Sequence, residues 1–137
     1  MTYRKAEIRP YRDEDEAILF GLANLDRGAD SRTIAVLERE TVFVAELEAS
    51  PAGYVALSRA EDRVCIDQLF VSPEHEAEGI GRQLLEWAEG YAISERAVKL
   101  QVVVEAENRR ALEFYRGRGF VQAAEDLLEL QLPEGTS

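Results

Sequence analysis

Residues 71–85 read Val71-Ser-Pro-Glu-His-Glu-Ala-Glu-Gly-Ile-Gly-Arg-Gln-Leu-Leu85. An apolar, strand-like run ends at Val71, a Ser-Pro turn follows, and Gly79-Ile80-Gly81 opens a strongly helical segment. Strand, glycine-bearing loop and helix start, in that order, build an anion cradle from backbone N–H groups and the positive end of a helix dipole. The side-chain charges run the other way, because Glu74, Glu76 and Glu78 lie in or beside that loop.

Other glycine-loop chemistries do not fit. A triphosphate-binding P-loop needs two glycines separated by four residues and then Lys and Ser/Thr, whereas Gly81 is followed by Arg82 and Gln83. A dinucleotide fingerprint needs a third small residue where Leu84 stands, and no βαβ unit is expected around the loop. The plain alternative is an ordinary helix start that uses glycine for a tight turn.

The downstream half of the chain adds a second motif. Val98 to Val104 reads as a buried strand, followed by Glu105-Ala-Glu-Asn-Arg-Arg-Ala-Leu-Glu-Phe-Tyr-Arg-Gly-Arg-Gly-Phe120. Together the two segments resemble the GCN5-related N-acetyltransferase (GNAT) superfamily. In that family a strand ending in V-x-P leads to an R/Q-x-x-G-x-G/A loop, and a later strand leads to N-x-x-A-x-x-F-Y-x-x-x-G-F. Asn108, Ala111, Phe114, Tyr115, Gly119 and Phe120 fall on the second pattern without a gap. The resemblance covers residues 63–123 well, and the N-terminal third only by element order.

The implied fold is α/β (α+β), a single acyl-CoA N-acyltransferase domain over residues 1–137. It has a mixed central sheet of six to seven strands flanked by about four helices. The residues themselves predict strands over Lys5–Arg9, Thr41–Glu48, Gly53–Arg59, Arg63–Val71, Val98–Val104, Phe120–Ala123 and Leu127–Leu132. Ala49 to Ala52 is expected as a hairpin turn. Helices are expected over Asp13–Leu25, Ser31–Glu38, Gly79–Ser94 and Asn108–Arg116, the third burying Ile80, Leu84, Trp87 and Ala88.

Composition narrows the function classes. With 137 residues, 46% of them hydrophobic, the chain can build a real core. No apolar run approaches the roughly 20 residues of a membrane span. Arg4, Lys5 and Arg9 precede no apolar signal core, so no leader is expected. Cys65 is the only cysteine and His75 the only histidine, which excludes an internal disulfide and any multi-cysteine metal site. A cytoplasmic location and no metal follow as expectations. A net charge of −11 argues against nucleic acid or an anionic membrane as partner and suits a cationic amine. Much of the excess lies in residues 41–80, where Arg59 and Arg63 face Glu46, Glu48, Glu61, Asp62, Asp67, Glu74, Glu76 and Glu78.

The resemblance implies acetyl transfer from acetyl-CoA to a primary amine, small-molecule or peptide, by direct attack in a ternary complex. The diphosphate would rest on backbone N–H groups of Glu78, Gly79, Ile80, Gly81 and Arg82. The pantetheine arm would run along Leu69, Phe70 and Val71, whose N–H groups would polarise the thioester carbonyl. Asn108 would hydrogen-bond the arm and Tyr115 would protonate the departing sulfur; Asn108 also suits a helix N-cap. Thiols leave readily at neutral pH, with a pKa of about 8.5, so the acid's help is modest.

Asp67 is the candidate base, because a carboxylate inside a central strand is costly unless it is paired or reaches a cleft. Strand alternation puts it with Cys65, Leu69 and Val71. Glu105 is the second candidate, and water serves some family members. Cys65 as a nucleophile is disfavoured, since lone strand cysteines are usually inert.

Glu76 and Glu78 depart from the family pattern, which commonly has Arg or Gln at the first position and often a cation at the second. Two carboxylates within ~6 Å of a diphosphate would each cost on the order of 1 kcal/mol. Arg82, Arg109 and Arg110 are the cations available to compensate. Two classes of function therefore stand: an active acetyl-CoA-dependent N-acetyltransferase, and a GNAT-fold CoA-binding or regulatory module with weakened or no catalysis. The family often forms homodimers, and no interface is legible in the sequence.

Overall fold

The computed structural model describes residues 4–19, 41–76 and 78–133. Seven strands are hydrogen-bonded in the order β1-β2-β3-β4-β5-β7-β6. They are β1 (Glu7–Pro10), β2 (Thr41–Leu47), β3 (Ser50–Ala60), β4 (Arg63–Val71), β5 (Lys99–Val103), β6 (Val121–Ala124) and β7 (Leu127–Gln131). Two α-helices are described in full, α1 (Ile80–Ser94) and α2 (Arg109–Gly117). Short 3-10 turns span Asp13–Asp15 and Pro73–His75. The first continues as helix over residues 16–19, the start of the expected Asp13–Leu25 helix. The rest of that helix, and the one expected over Ser31–Glu38, lie outside the described residues. None of the described helices is long and apolar enough to cross a membrane.

The chain divides into two compact units, with β3 and β4 running through both. The first comprises residues up to Leu57 together with Gln68–Ala88. Here β1, β2 and β3 pair antiparallel. Val42, Val44, Tyr54, Ala56 and Phe70 pack with Leu19 on one side of the sheet. Ala45 and Val55 are buried as well, so β2 and β3 are apolar on both faces, as interior strands must be.

The β2–β3 turn differs from the expected Ala49–Ala52. It is the two-residue pair Glu48 (φ 51) and Ala49 (φ 64), both left-handed, the backbone twist that closes a tight hairpin. Ser50 and Pro51 already belong to β3. Pro51 is tolerated there because the register shifts between Ala45 and Glu46, making Ala52 a bulge.

Helix α1 buries Ile80, Leu84, Leu85, Ala88 and Ala92. Each such leucine is worth roughly 1.5–3 kcal/mol when fully buried. Trp87, expected on this stripe, is 41% exposed and instead lies against Phe43 at a ring-centroid distance of 5.5 Å. Leu85 and Ala92 take its place because the buried stripe drifts round the helix at 3.6 residues per turn.

The second unit comprises Ser58–Asp67 and the chain from Glu89 onward. Strands β4 and β5 pair in parallel from Arg63↔Lys99 to Ile66↔Val102, so β4, α1 and β5 form a βαβ unit, contrary to the expectation from sequence. Strand β7 runs antiparallel to β5 and to β6. Gln101 on β5 accepts from Arg63 at 3.4 Å and donates to Glu129, which also pairs with Lys99 at 3.3 Å. Helix α2 ends at Gly117, and two residues on Gly119, with φ +101, lets the chain turn back so that the Phe120 N–H reaches the Tyr115 carbonyl at 3.2 Å.

Candidate functional site

In the first unit, β4 delivers the chain into a loop pinned at both ends. The Ser72 N–H donates to the carbonyl of the bulge residue Ala52 at 2.7 Å. Beyond the 3-10 turn, Gly79 adopts φ +83, a conformation that a side chain disfavours. The carbonyl of Gly79 accepts from Gln83 N at 3.2 Å, so the helical ladder begins there. The first N–H groups of a helix have no carbonyl behind them, and those of Ile80, Gly81 and Arg82 occupy that first turn of α1. Gly81 adds no side chain over them. The segment fits an anionic group held by backbone amides.

Glu78 does not extend freely into solvent. Its Oε1 lies 2.8 Å from His75 Nδ1 and 3.9 Å from Arg4 Nη1. Glu74 and Glu76 are exposed. Arg82, the cation nearest the glycines in sequence, pairs with Glu86 one turn along at 3.5 Å. The segment just before β1 is stitched to the loop. Arg4 N donates to the Glu78 carbonyl at 2.9 Å, and the buried Gln83 side chain donates to the Arg4 carbonyl at 2.6 Å. Gln83 also accepts from Ala6 N at 2.9 Å. Neither Arg4 nor Gln83 is among the site residues expected from the sequence. The available signal was a polar Gln83 three residues after Ile80 and four before Trp87, on the side of α1 where burial is expected.

Upstream of the loop, Phe70 is buried and Leu69 and Val71 are half-buried. Tyr54 donates from its hydroxyl to Gln68 Oε1 at 2.6 Å, and its ring lies 5.7 Å from that of Phe70. The backbone of β3 comes close here: a Cβ on Gly53 would stand 2.5 Å from the Phe70 carbonyl oxygen.

The second unit holds the other motif. Asn108 caps α2, its Oδ1 accepting from Ala111 N at 3.1 Å, and its side chain is exposed. In the last turn of α2, Tyr115 is buried edge-on between Phe114 at 5.0 Å and Phe120 at 5.3 Å. Asp67 is exposed, so no burial penalty attaches to its charge, and Glu105 is exposed as well. Cys65 is half-buried and is in no disulfide. Among the described residues, no group of three or more His, Cys, Asp or Glu side chains is arranged to hold a metal ion.

Comparison with known proteins agrees with the motif reading. Residues 4–120 match the model of the acetyltransferase (GNAT) family. An uncharacterized N-acetyltransferase of Methanocaldococcus jannaschii is 33% identical over 90 residues, 61% of this chain. That match spans only 40% of the relative's own length. Among solved structures, the ribosomal-protein-S18-alanine N-acetyltransferase of Escherichia coli superimposes with a TM-score of 0.81 at 20% identity, covering 97% of this chain and 96% of that one. A GNAT-family acetyltransferase of Elizabethkingia anophelis with acetyl-CoA bound gives 0.81 at 18% identity, covering 93% and 98%. At such identities the likeness is one of fold, and it extends over nearly the whole chain.

Proposed function

The chain belongs to the acetyltransferase (GNAT) family, and on that premise we propose that it is an N-acetyltransferase acting as one domain, with acetyl-CoA as donor and a primary amine as acceptor. The observation that carries this reading is the loop at the start of α1, where Gly79 at φ +83 and side-chain-free Gly81 leave first-turn N–H groups for an anion. The related Elizabethkingia protein was crystallised with acetyl-CoA, which supports the choice of donor.

Acetyl-CoA supplies a thioester whose carbonyl is open to attack. The backbone of Glu78, Gly79, Ile80, Gly81 and Arg82 would hold its diphosphate. N–H groups of Leu69, Phe70 and Val71 would bind the arm and withdraw charge from the carbonyl oxygen. The Asn108 amide group would donate to the arm while its oxygen caps α2. Tyr115 would give a proton to the leaving sulfur, and Asp67 would take one from the amine. The chain's charge of −11 favours a cationic acceptor.

A regulatory module without turnover was suggested by the acidic loop. The engagement of Glu78 by His75 and Arg4 removes much of that objection and favours the enzyme. Titration with acetyl-CoA should raise the melting temperature, because a ligand of the native state stabilises it. Thiol release with a panel of amines then tests turnover. No thermal shift at millimolar acetyl-CoA would defeat the reading.

A further inference from the structure

We propose that Arg4 is a positioning residue for the cofactor: fixed beside Glu78 through its backbone, its guanidinium cancels the carboxylate that would otherwise oppose a diphosphate at the start of α1. This rests on the reading of the Gly79–Gly81 loop as a diphosphate cradle. Between Ser72 and Gly81 the sequence has no Lys or Arg, and Arg82 pairs along the helix with Glu86 at 3.5 Å. The loop therefore lacks a cation of its own, and a distant segment brings one.

The attachment is built rather than incidental. Arg4 N donates to the Glu78 carbonyl at 2.9 Å, and the Arg4 carbonyl accepts from Gln83 Nε2 at 2.6 Å. The same Gln83 nitrogen donates to the Gly79 carbonyl at 3.1 Å, while Gln83 Oε1 accepts from Ala6 N at 2.9 Å. One 7%-exposed glutamine thus ties the chain around Arg4 to the glycine that shapes the cradle. A buried amide is retained only where its hydrogen bonds are satisfied, and here both ends are.

With that backbone fixed, the guanidinium lies 3.9 Å from Glu78 and 3.5 Å from Glu48. Glu48 is almost fully solvated, so water screens its share of the interaction. Glu78 is half-buried, its side chain 23% exposed, and feels Arg4 more strongly. His75 Nδ1 lies 2.8 Å from the same carboxylate, but an imidazole offers positive charge only in its protonated form, whereas a guanidinium is a permanent cation in proteins.

The test is the dissociation constant of acetyl-CoA, measured by calorimetry at low ionic strength for a double-mutant cycle. Arg4→Gln should weaken binding about tenfold and Arg4→Lys less than about threefold, while Glu78→Gln tightens it. In the Glu78→Gln background, Arg4→Gln should have little effect, because the charge it answered is gone. The KM for the amine should not move in any variant. An Arg4→Gln protein that binds within twofold of the unaltered one overturns the proposal. So does an equal loss in both backgrounds, which would make Arg4 a packing or direct contact. If Arg4→Gln does not fold, Glu78→Gln alone decides: unchanged affinity means the carboxylate is not felt at the cradle. Failure of the unaltered protein to bind acetyl-CoA overturns the cofactor reading itself, and this inference with it.

Discussion

Arg9 on β1 grips Asp15 in a two-pronged ion pair, Nη1 to Oδ2 and Nη2 to Oδ1, each at 2.8 Å. Asp15 is 3% exposed and also accepts from Arg12 N at 2.8 Å, while Arg9 Nε pairs with Glu46 of β2 at 2.9 Å. The hydrogen bonds from Arg9 outweigh burial and hold the Asp15 carboxyl below the usual carboxylate range. This arrangement anchors the 3-10 turn at Asp13–Asp15 to the sheet.

Removing one partner strands a buried charge. Arg9→Met should cost about 3 kcal/mol, a fall of roughly 10 °C in melting temperature. The pH dependence follows from the direction of the Asp15 shift. Because the folded pKa lies below the unfolded one, the stabilisation is fully present above the ordinary value of about 4 and is lost as pH falls through the folded value. The melting-temperature gap between the unaltered protein and Asp15→Asn should therefore shrink on acidification below that point. A gap that widens instead would contradict the sign.

Gly53→Ala tests how tightly β3 presses on the end of β4. The new methyl would sit 2.5 Å from the Phe70 carbonyl oxygen and 3.2 Å from Val71 Cα, both backbone atoms that cannot swing aside. Replacing a strand glycine normally stabilises by limiting the unfolded chain. Here a loss of about 1–3 kcal/mol is expected, together with a lower kcat, because the displaced backbone is the one assigned to the thioester carbonyl. A raised melting temperature would show that the strands part without cost.

Tyr115→Phe separates packing from chemistry. The ring contacts with Phe114 and Phe120 survive the change, so the melting temperature should move by no more than about 1 kcal/mol equivalent. If the hydroxyl protonates the sulfur, kcat should fall by roughly tenfold to a hundredfold with the KM for acetyl-CoA nearly constant. An unchanged kcat would leave Tyr115 as a buried aromatic alone.

Asn108 is expected to do two jobs, and two substitutions divide them. Asn108→Asp keeps an oxygen for the Ala111 N–H and so keeps the cap, but it removes the amide donor offered to the arm. Its melting temperature should hold while the KM for acetyl-CoA rises. Asn108→Ala should show the same KM effect plus about 1 kcal/mol of lost stability. Equal KM for all three proteins would confine Asn108 to capping.

Strand β4 was legible to the residue, Arg63 to Val71, because an interior strand is apolar on both faces and bounded by turn residues. The β2–β3 turn was not. The sequence offers Ser50-Pro51 as an obvious breaker, but strand pairing placed the reversal at Glu48-Ala49 and absorbed the proline in a bulge. Trp87 shows the same limit: periodicity puts it near the buried stripe of α1, and only the position of Phe43 leaves it on the rim. The Asp67 argument began from the cost of a buried carboxylate, and exposure on β4 removes that cost.

The sequence by itself determined the local backbone: where glycine permits a left-handed turn at Gly79 and Gly119, where alternation makes strands, and where Asn108 starts a helix. Those preferences are short-range and are written in neighbouring residues. The fate of the loop's negative charge could not be read that way. Whether Glu78 opposes an anion depends on Arg4 and His75 reaching it, and on Gln83 fixing the chain around Arg4. Coulomb energy follows distance in space, not along the chain, and only the packed tertiary structure set that distance.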